Sequence, residues 1–493
     1  MTPPELFYSF ILAVLGGIIC ILVCNKRESV LPLLIFFELS YWMRWAFAYL
    51  NNVLQFWAQK DLSDFSLSMI DQPGGIWDIF VSRLQGFAAG QNATGNQAKF
   101  FLEALVNLPA LRLLEESITT LILTNCFIGA ISGVVVFAYL TRIFDKRIAT
   151  VGFLLTSLYP CAVNFSIFAL RDLFLYFFVL LNMVSLTWLL LRKDRRILQG
   201  TIYIFSFICI LVLRTALFPF ALAIPGWLFL LWVRKTFARF RIIEEKRFII
   251  AVAAIVIPAL TATTLYVGYY VVLRQIGYSE LVSPDEILAN YTMNRYNRNT
   301  GQSDLLVAGS GGGSDVLPPS IYRSAPLPVR LGAQVVGMWM IPMPWLLTSI
   351  TRMLALSDTI FCFAITFWAF GTQRLIKYKF TGCQPHQCAS VLQYPKDVLR
   401  VLNFGQIFTF MSLMFCFGLL VSNSGNAFRM RLCAMPFIIP SASIYFSATY
   451  SWIAGRFVRT AMSRKRQQVR RGSVPTAVTA SAMRTPPSSL PAT

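Results

Sequence analysis

The chain has 493 residues, 56% of them hydrophobic and 13% charged, with 43 Lys and Arg against 22 Asp and Glu for a formal net charge of +21. A soluble domain carries about 25% charged residues, so this composition excludes one, and apolar runs of roughly 20 residues match a hydrocarbon core about 30 Å thick. In a membrane protein the basic excess reads as cytoplasmic loops that set topology and touch anionic lipid; membrane lipids are therefore expected as partners, and nucleic acid is not.

Backbone in lipid must satisfy its own hydrogen bonds, so the spans are expected to be helices. The first apolar run, Phe7–Val23, has no basic region before it and no small-residue cleavage site after it, and so reads as a span rather than a signal peptide. It ends at Lys26 and Arg27, which places that end in the cytoplasm and the N-terminus outside. Leu31–Leu50 returns outward, and residues 51–117, with Asp61, Asp64, Asp71 and Asp78, form a first large external segment. Ile118–Leu140 runs in to Arg142, Lys146 and Arg147. Thr150–Leu170 runs out to Arg171 and Asp172, and Leu173–Leu191 comes back to Arg192, Lys193, Arg195 and Arg196. Ile197–Leu213 leads out to Arg214, Ala216–Val233 in to Arg234 and Lys235, and Phe248–Leu273 out again.

A second large external segment covers residues 274–345. Pro342 and Pro344 break any helix there, and Arg330–Trp345 reads as an amphipathic or re-entrant piece with Trp339 and Trp345 as interfacial anchors. Gly309–Ser314 within it is either a plain surface loop or the hinge of a lid. Leu354–Phe370 comes in to Arg374, Lys377 and Lys379. Val401–Val421 goes out, Ser422–Arg431 is a short external loop, and Leu432–Ala454 comes in. The expected fold is all-α: a polytopic transmembrane helix bundle of about eleven spans, occupying residues 1–460, followed by a basic, disordered cytoplasmic tail at 461–493.

Cysteines lie mostly inside apolar runs and read as small core residues. Cys383 and Cys388 bracket His386, the single histidine, with a spacing that matches no zinc pattern, so no metal is expected.

The arginines are distributed less evenly. Arg44, Arg171, Arg214, Arg429 and Arg431 all fall where apolar runs break, on the side predicted to be external, against the usual inside bias. A cation at such a position is costly and commonly functional. The planar guanidinium donates two parallel hydrogen bonds, which suits phosphate. For each arginine taken alone, snorkelling or a salt bridge such as Arg171 with Asp172 is the competing account. Among external carboxylates, Asp61, Asp64 and Asp172 are candidates for the general base of a sugar hydroxyl.

Three pieces resemble a known class: Ser166–Asp172 after a span, Pro342–Trp345 after a large external segment, and Gly425–Arg431 before the last span. With the general layout, they are similar to the polytopic polymerases of bacterial O-antigen and exopolysaccharide and to related GT-C-type membrane glycosyltransferases. The resemblance implies an enzyme of the bacterial cytoplasmic (inner) membrane, working at its external face without a cofactor. Its substrate would be a polyprenyl-pyrophosphate-linked oligosaccharide, with Arg171, Arg429 and Arg431 on the pyrophosphate and other polysaccharide-assembly proteins as partners. The rival expectation is a transporter or flippase of lipid-linked glycan or another anionic lipid, which would use the arginines for binding alone; no internal repeat of the kind common in transporters stands out.

Overall fold

In the computed structural model the described residues are 3–24, 27–54, 118–167, 172–191, 196–213, 326–340, 350–378, 396–420 and 424–449. They form helices, with no strand among them. Four are long and apolar enough to cross a membrane, and six if each of two bent pairs counts as one span. The chain divides into two units, 1–445 and 446–493; the second is described only over 446–449, the end of a helix.

The first helices match the expected spans closely. They are α1 (Pro3–Val23), α2 (Arg27–Leu54) and α3 (Ile118–Ile143). Helix α1 turns an apolar face outward, with Phe7, Phe10 and Leu22 exposed, as a lipid-facing helix does. An aromatic ladder runs along α2. Phe37 stacks on Tyr41, Tyr41 meets Trp42 edge-on, Trp42 meets Trp45, and Trp45 stacks on Tyr49. Helix α3 lies at the centre: its membrane-length stretch is 89% buried, against 28% for α1.

The expected span Thr150–Leu170 is not one helix. It divides into α4 (Lys146–Ser157) and α5 (Pro160–Ser166), bent by 53°. Proline is the cause. Pro160 has no N–H to give to the Thr156 carbonyl, and its ring clashes with a continuing helix. Asp145 caps the start of α4 by accepting from the Ile148 N–H at 2.9 Å.

Helices α6 (Asp172–Leu191) and α7 (Arg196–Leu213) pack as an antiparallel-type hairpin across a short connection. Asn182 of α6 ties them by donating to the Tyr203 carbonyl and to Ser206 Oγ. Arg142, at the end of α3, lies 4.3 Å from the centre of the Trp188 ring. Then come α8 (Leu327–Met340), α9 (Ile350–Tyr378) and α10 (Lys396–Leu420). The expected re-entrant piece Arg330–Trp345 is helical up to Met340; residues 341–349 lie outside the described part.

The segment read as an external loop, Ser422–Arg431, is instead mostly helix. Helix α11 covers Ser424–Ala434, closes with a 3-10 turn at Met435–Phe437, and is followed by α12 (Ile439–Thr449) at a bend of 62°. Gly425 and Asn426 resemble turn residues, yet they occupy a first helical turn, where such residues are tolerated.

A buried polar network joins the central helices. Gln406 of α10 donates to the Tyr139 hydroxyl of α3 at 3.0 Å and accepts from Ser441 Oγ of α12 at 3.0 Å, while Thr372 of α9 donates to the Ser441 carbonyl at 2.6 Å. Where water is excluded, such bonds fix which helices pair. The expected spans Ala216–Val233 and Phe248–Leu273, most of both large external segments, the glycine run Gly309–Ser314 and the basic tail lie outside the described residues.

Candidate functional site: a buried charge cluster

The short helix α5 packs against α2, α3, α4, α6, α9 and α11. Around it gather charged side chains from four of those helices, nearly all without access to solvent.

Arg431 of α11 is fully buried. Its Nη1 lies 3.2 Å from Oδ2 of Asp358 in α9 and donates to Thr359 Oγ1 at 3.0 Å. Asp358 is equally buried, and the Tyr159 hydroxyl and the Cys161 backbone N–H lie beside its carboxylate. Tyr159 also stacks on Phe361, one turn after Asp358, at 5.2 Å. Next to this pair, Arg429 Nε stands 3.5 Å from Oδ2 of Asp172, the first residue of α6. Here the burial is unequal, 24% exposure for the arginine side chain against 1% for the aspartate. Asp172 therefore grips the guanidinium from its inner edge. A carboxylate in the first turn of α6 also complements the positive end of that helix.

Arg44 occupies a third position. It lies in α2, fully buried, and is held by neutral groups. Nη1 donates to Ser40 Oγ at 2.5 Å, and Nη2 donates to the Ser157 carbonyl at 2.7 Å. That carbonyl is available because of the α4–α5 break. In an unbroken helix the Ser157 carbonyl would accept from the Cys161 N–H. The break separates them: the carbonyl takes Arg44 instead, and the Cys161 N–H lies near the Asp358 carboxylate. Tyr176 lies close enough to Arg44 to feel its charge, and its ring is 6.4 Å from that of Tyr159, which connects Arg44 to the Asp358–Arg431 pair.

The structure thus brings together four of the expected site residues, Arg44, Asp172, Arg429 and Arg431. Arg171, Arg214, Asp61 and Asp64 lie outside the described residues. Three guanidiniums face two carboxylates, so the described cluster carries one positive charge in excess. Asp358, Tyr159 and Ser157 were not anticipated. A lone Asp inside the apolar run Leu354–Phe370 was the available signal, because an intramembrane carboxylate is costly enough to need a partner. Among the described residues no group of three or more His, Cys, Asp or Glu is placed to hold a metal ion.

No protein-family model matches the chain, and neither a curated protein nor a solved structure is similar to it.

Proposed function

We propose that this membrane protein binds the pyrophosphate of a polyprenyl-linked oligosaccharide and transfers the glycan to a hydroxyl of a second lipid-linked unit, as a polysaccharide polymerase does. The observation that carries this reading is the cationic excess of a cluster whose described arginines are Arg44, Arg429 and Arg431; of these three, Arg429 alone keeps part of its side chain exposed. Asp172 meets Arg429 at Nε, and in this reading the two Nη groups form the fork that takes a phosphate.

In the proposed reaction a sugar hydroxyl attacks the anomeric carbon next to the pyrophosphate. The new glycosidic C–O bond forms as the bond to the pyrophosphate oxygen breaks, and the electron pair leaves with polyprenyl pyrophosphate. Arg429 and Arg431, with Arg171 and Arg214, stabilise the charge that grows on the leaving group. When the pyrophosphate engages Arg429, Asp172 is released to accept the hydroxyl proton. Asp61 and Asp64 are the alternative bases. The site belongs, in this reading, at the external face of a bacterial inner membrane.

One observation favours a second reading. Helices α4–α5 and α11–α12 are both bent at breaks, and the first break supplies a backbone carbonyl, that of Ser157, to the charge cluster. Discontinuous helices around a buried site are common in transporters, so a flippase for the same lipid-linked anion is the rival.

Purified protein in proteoliposomes, supplied with radiolabelled polyprenyl-pyrophosphate glycan, separates the two. Longer glycan together with free polyprenyl pyrophosphate supports the polymerase. Movement of intact substrate across the bilayer supports the transporter. If neither occurs and the substrate does not bind, both readings are wrong.

A further inference from the structure

Glu38 lies well inside the membrane-length stretch of α2, Val30–Asn51. By the rise of a helix it sits about 12 Å from one end of that stretch and about 20 Å from the other. Snorkelling over such a distance belongs to the longer stems of Lys and Arg. Glu38 is half-buried, and Leu31, Ile35 and Leu39 around it are exposed. In a span, its open side meets hydrocarbon.

The charge of Glu38 is not compensated as that of the other acids is. Asp358 and Asp172 each face a guanidinium, at 3.2 Å and 3.5 Å. Glu38 makes no ion pair among the described residues; Trp42 Nε1 donates to its Oε2 at 2.9 Å, and an indole N–H is a neutral donor. The titratable groups near it are Cys20 of α1 and Tyr41 of α2, and neither brings positive charge. From α3, Cys126 approaches Tyr41 and Arg44 instead; from α5, Cys161 lies by Asp358; from α4, Lys146 lies by Cys24 at the end of α1. The buried arginines are bonded elsewhere, Arg44 to Ser40 and Ser157 and Arg431 to Asp358. The apolar runs Ala216–Val233 and Phe248–Leu273 contain no Lys or Arg, so they have no cation to bring to that depth.

A bare carboxylate against lipid is costly, and a group so placed discharges rather than stay ionised. A hard metal cation does not solve the problem, since it takes about six oxygens and Glu38 offers two. A proton needs one. Trp42 donates to Oε2, which marks that oxygen as the acceptor and leaves Oε1 for the proton.

We propose that Glu38 is a proton-binding site on the lipid face of α2, occupied at neutral pH. Loss of the proton would put a charge against hydrocarbon, so α2 registers at this point the proton activity of its surroundings. The site is separate from the charge cluster and does not depend on the pyrophosphate reading.

The test uses the full-length protein in phosphatidylcholine vesicles and the apolar reagent dicyclohexylcarbodiimide. A protonated carboxyl adds its O–H across one C=N bond of the reagent, and the adduct rearranges to a stable N-acylurea that peptide mass spectrometry locates. Glu38 should be modified near neutral pH, while Asp172 and Asp358, held ionised by arginine, stay unmodified. Above the pH of half-occupancy the yield should fall about tenfold per pH unit. Glu38→Gln is uncharged and still accepts from Trp42, so it should accumulate in the membrane as the wild type does. An unmodified Glu38 overturns the proposal, because a cation from another chain would then be holding it ionised. Equal modification of Asp172 or Asp358 overturns it too, since reactivity would not then report a missing cation. Poor accumulation of Glu38→Gln does the same, because a neutral replacement of a neutral acid leaves the span's cost unchanged.

Discussion

Replacing Asp358 with leucine takes away the carboxylate paired with Arg431 and leaves the guanidinium buried. The two groups stand 3.2 Å apart, with 0% and 1% side-chain exposure. At an effective dielectric of about 20, that separation corresponds to an attraction of about 5 kcal/mol. Desolvation offsets much of it, so the pair itself contributes little net stability, while breaking it from one side costs about 3–5 kcal/mol. The expected ordering is therefore specific. Asp358→Leu and Arg431→Met should each lower stability by about that amount, and the double variant, apolar on both sides, should lie within about 1–2 kcal/mol of the wild type. Size-exclusion profiles of detergent-solubilised protein, followed by denaturant unfolding of the species that remain monodisperse, measure this. A double variant no more stable than either single would refute the reasoning, since the helices would then be held by something other than this ion pair. Glycan transfer by a stable double variant would further show that Arg431 does not touch the leaving group.

Arg429→Lys keeps the charge and loses the planar fork; it should abolish polymer while the protein still accumulates in the membrane, and normal polymer length would remove the pyrophosphate role. Pro160→Ala restores an N–H to the Thr156 carbonyl, so the 53° bend between α4 and α5 should decrease and Arg44 should lose its hold on Ser157; spin labels at exposed Leu154 and Leu158 would report the change, and unaltered label spectra would contradict it. Phosphatase and green-fluorescent reporter fusions after Arg196, Arg323 and Arg471 should give cytoplasmic, external and cytoplasmic signals; a cytoplasmic signal at Arg323 would put the second large segment on the wrong side for an external glycan.

The helical segments were largely legible because each rests on a local property, an apolar run between basic clusters. Thus Phe7–Val23 became Pro3–Val23, Ile118–Leu140 became Ile118–Ile143, and Val401–Val421 became Lys396–Leu420. The break at Pro160 was also written in the sequence but was hidden by the apolarity of Thr150–Leu170 around it. Composition averaged over a span does not register one missing N–H. The reading of Ser422–Arg431 as a loop went wrong for the opposite reason. Turn-type residues at Asn423–Asn426 outweighed the helix formers after them, and packing against α6 and α10 then favours the helix. The arginines could be found one by one, but their partners could not. Asp358 lies 73 residues before Arg431, and Ser157 lies 113 residues after Arg44. Pairing at that distance is decided by which helices pack together, and no local pattern encodes it.

Helices α1 and α3 are both predominantly apolar, yet their surroundings place opposite demands on them. Most of α1 is not buried by other helices, and lipid tails against it would take any hydrocarbon shape, so Phe7, Phe10 and Leu22 should accept isoleucine, methionine or valine with little change. Helix α3 is enclosed by other helices that approach within ångströms of its glycines. There a single added methylene must displace Arg44, Ser157 or Phe153. In a saturation library the two helices would look alike by the residue classes they retain. They would separate by the number of alternatives each position tolerates: many along α1, where only solubility in oil is selected, and few along α3, where shape is.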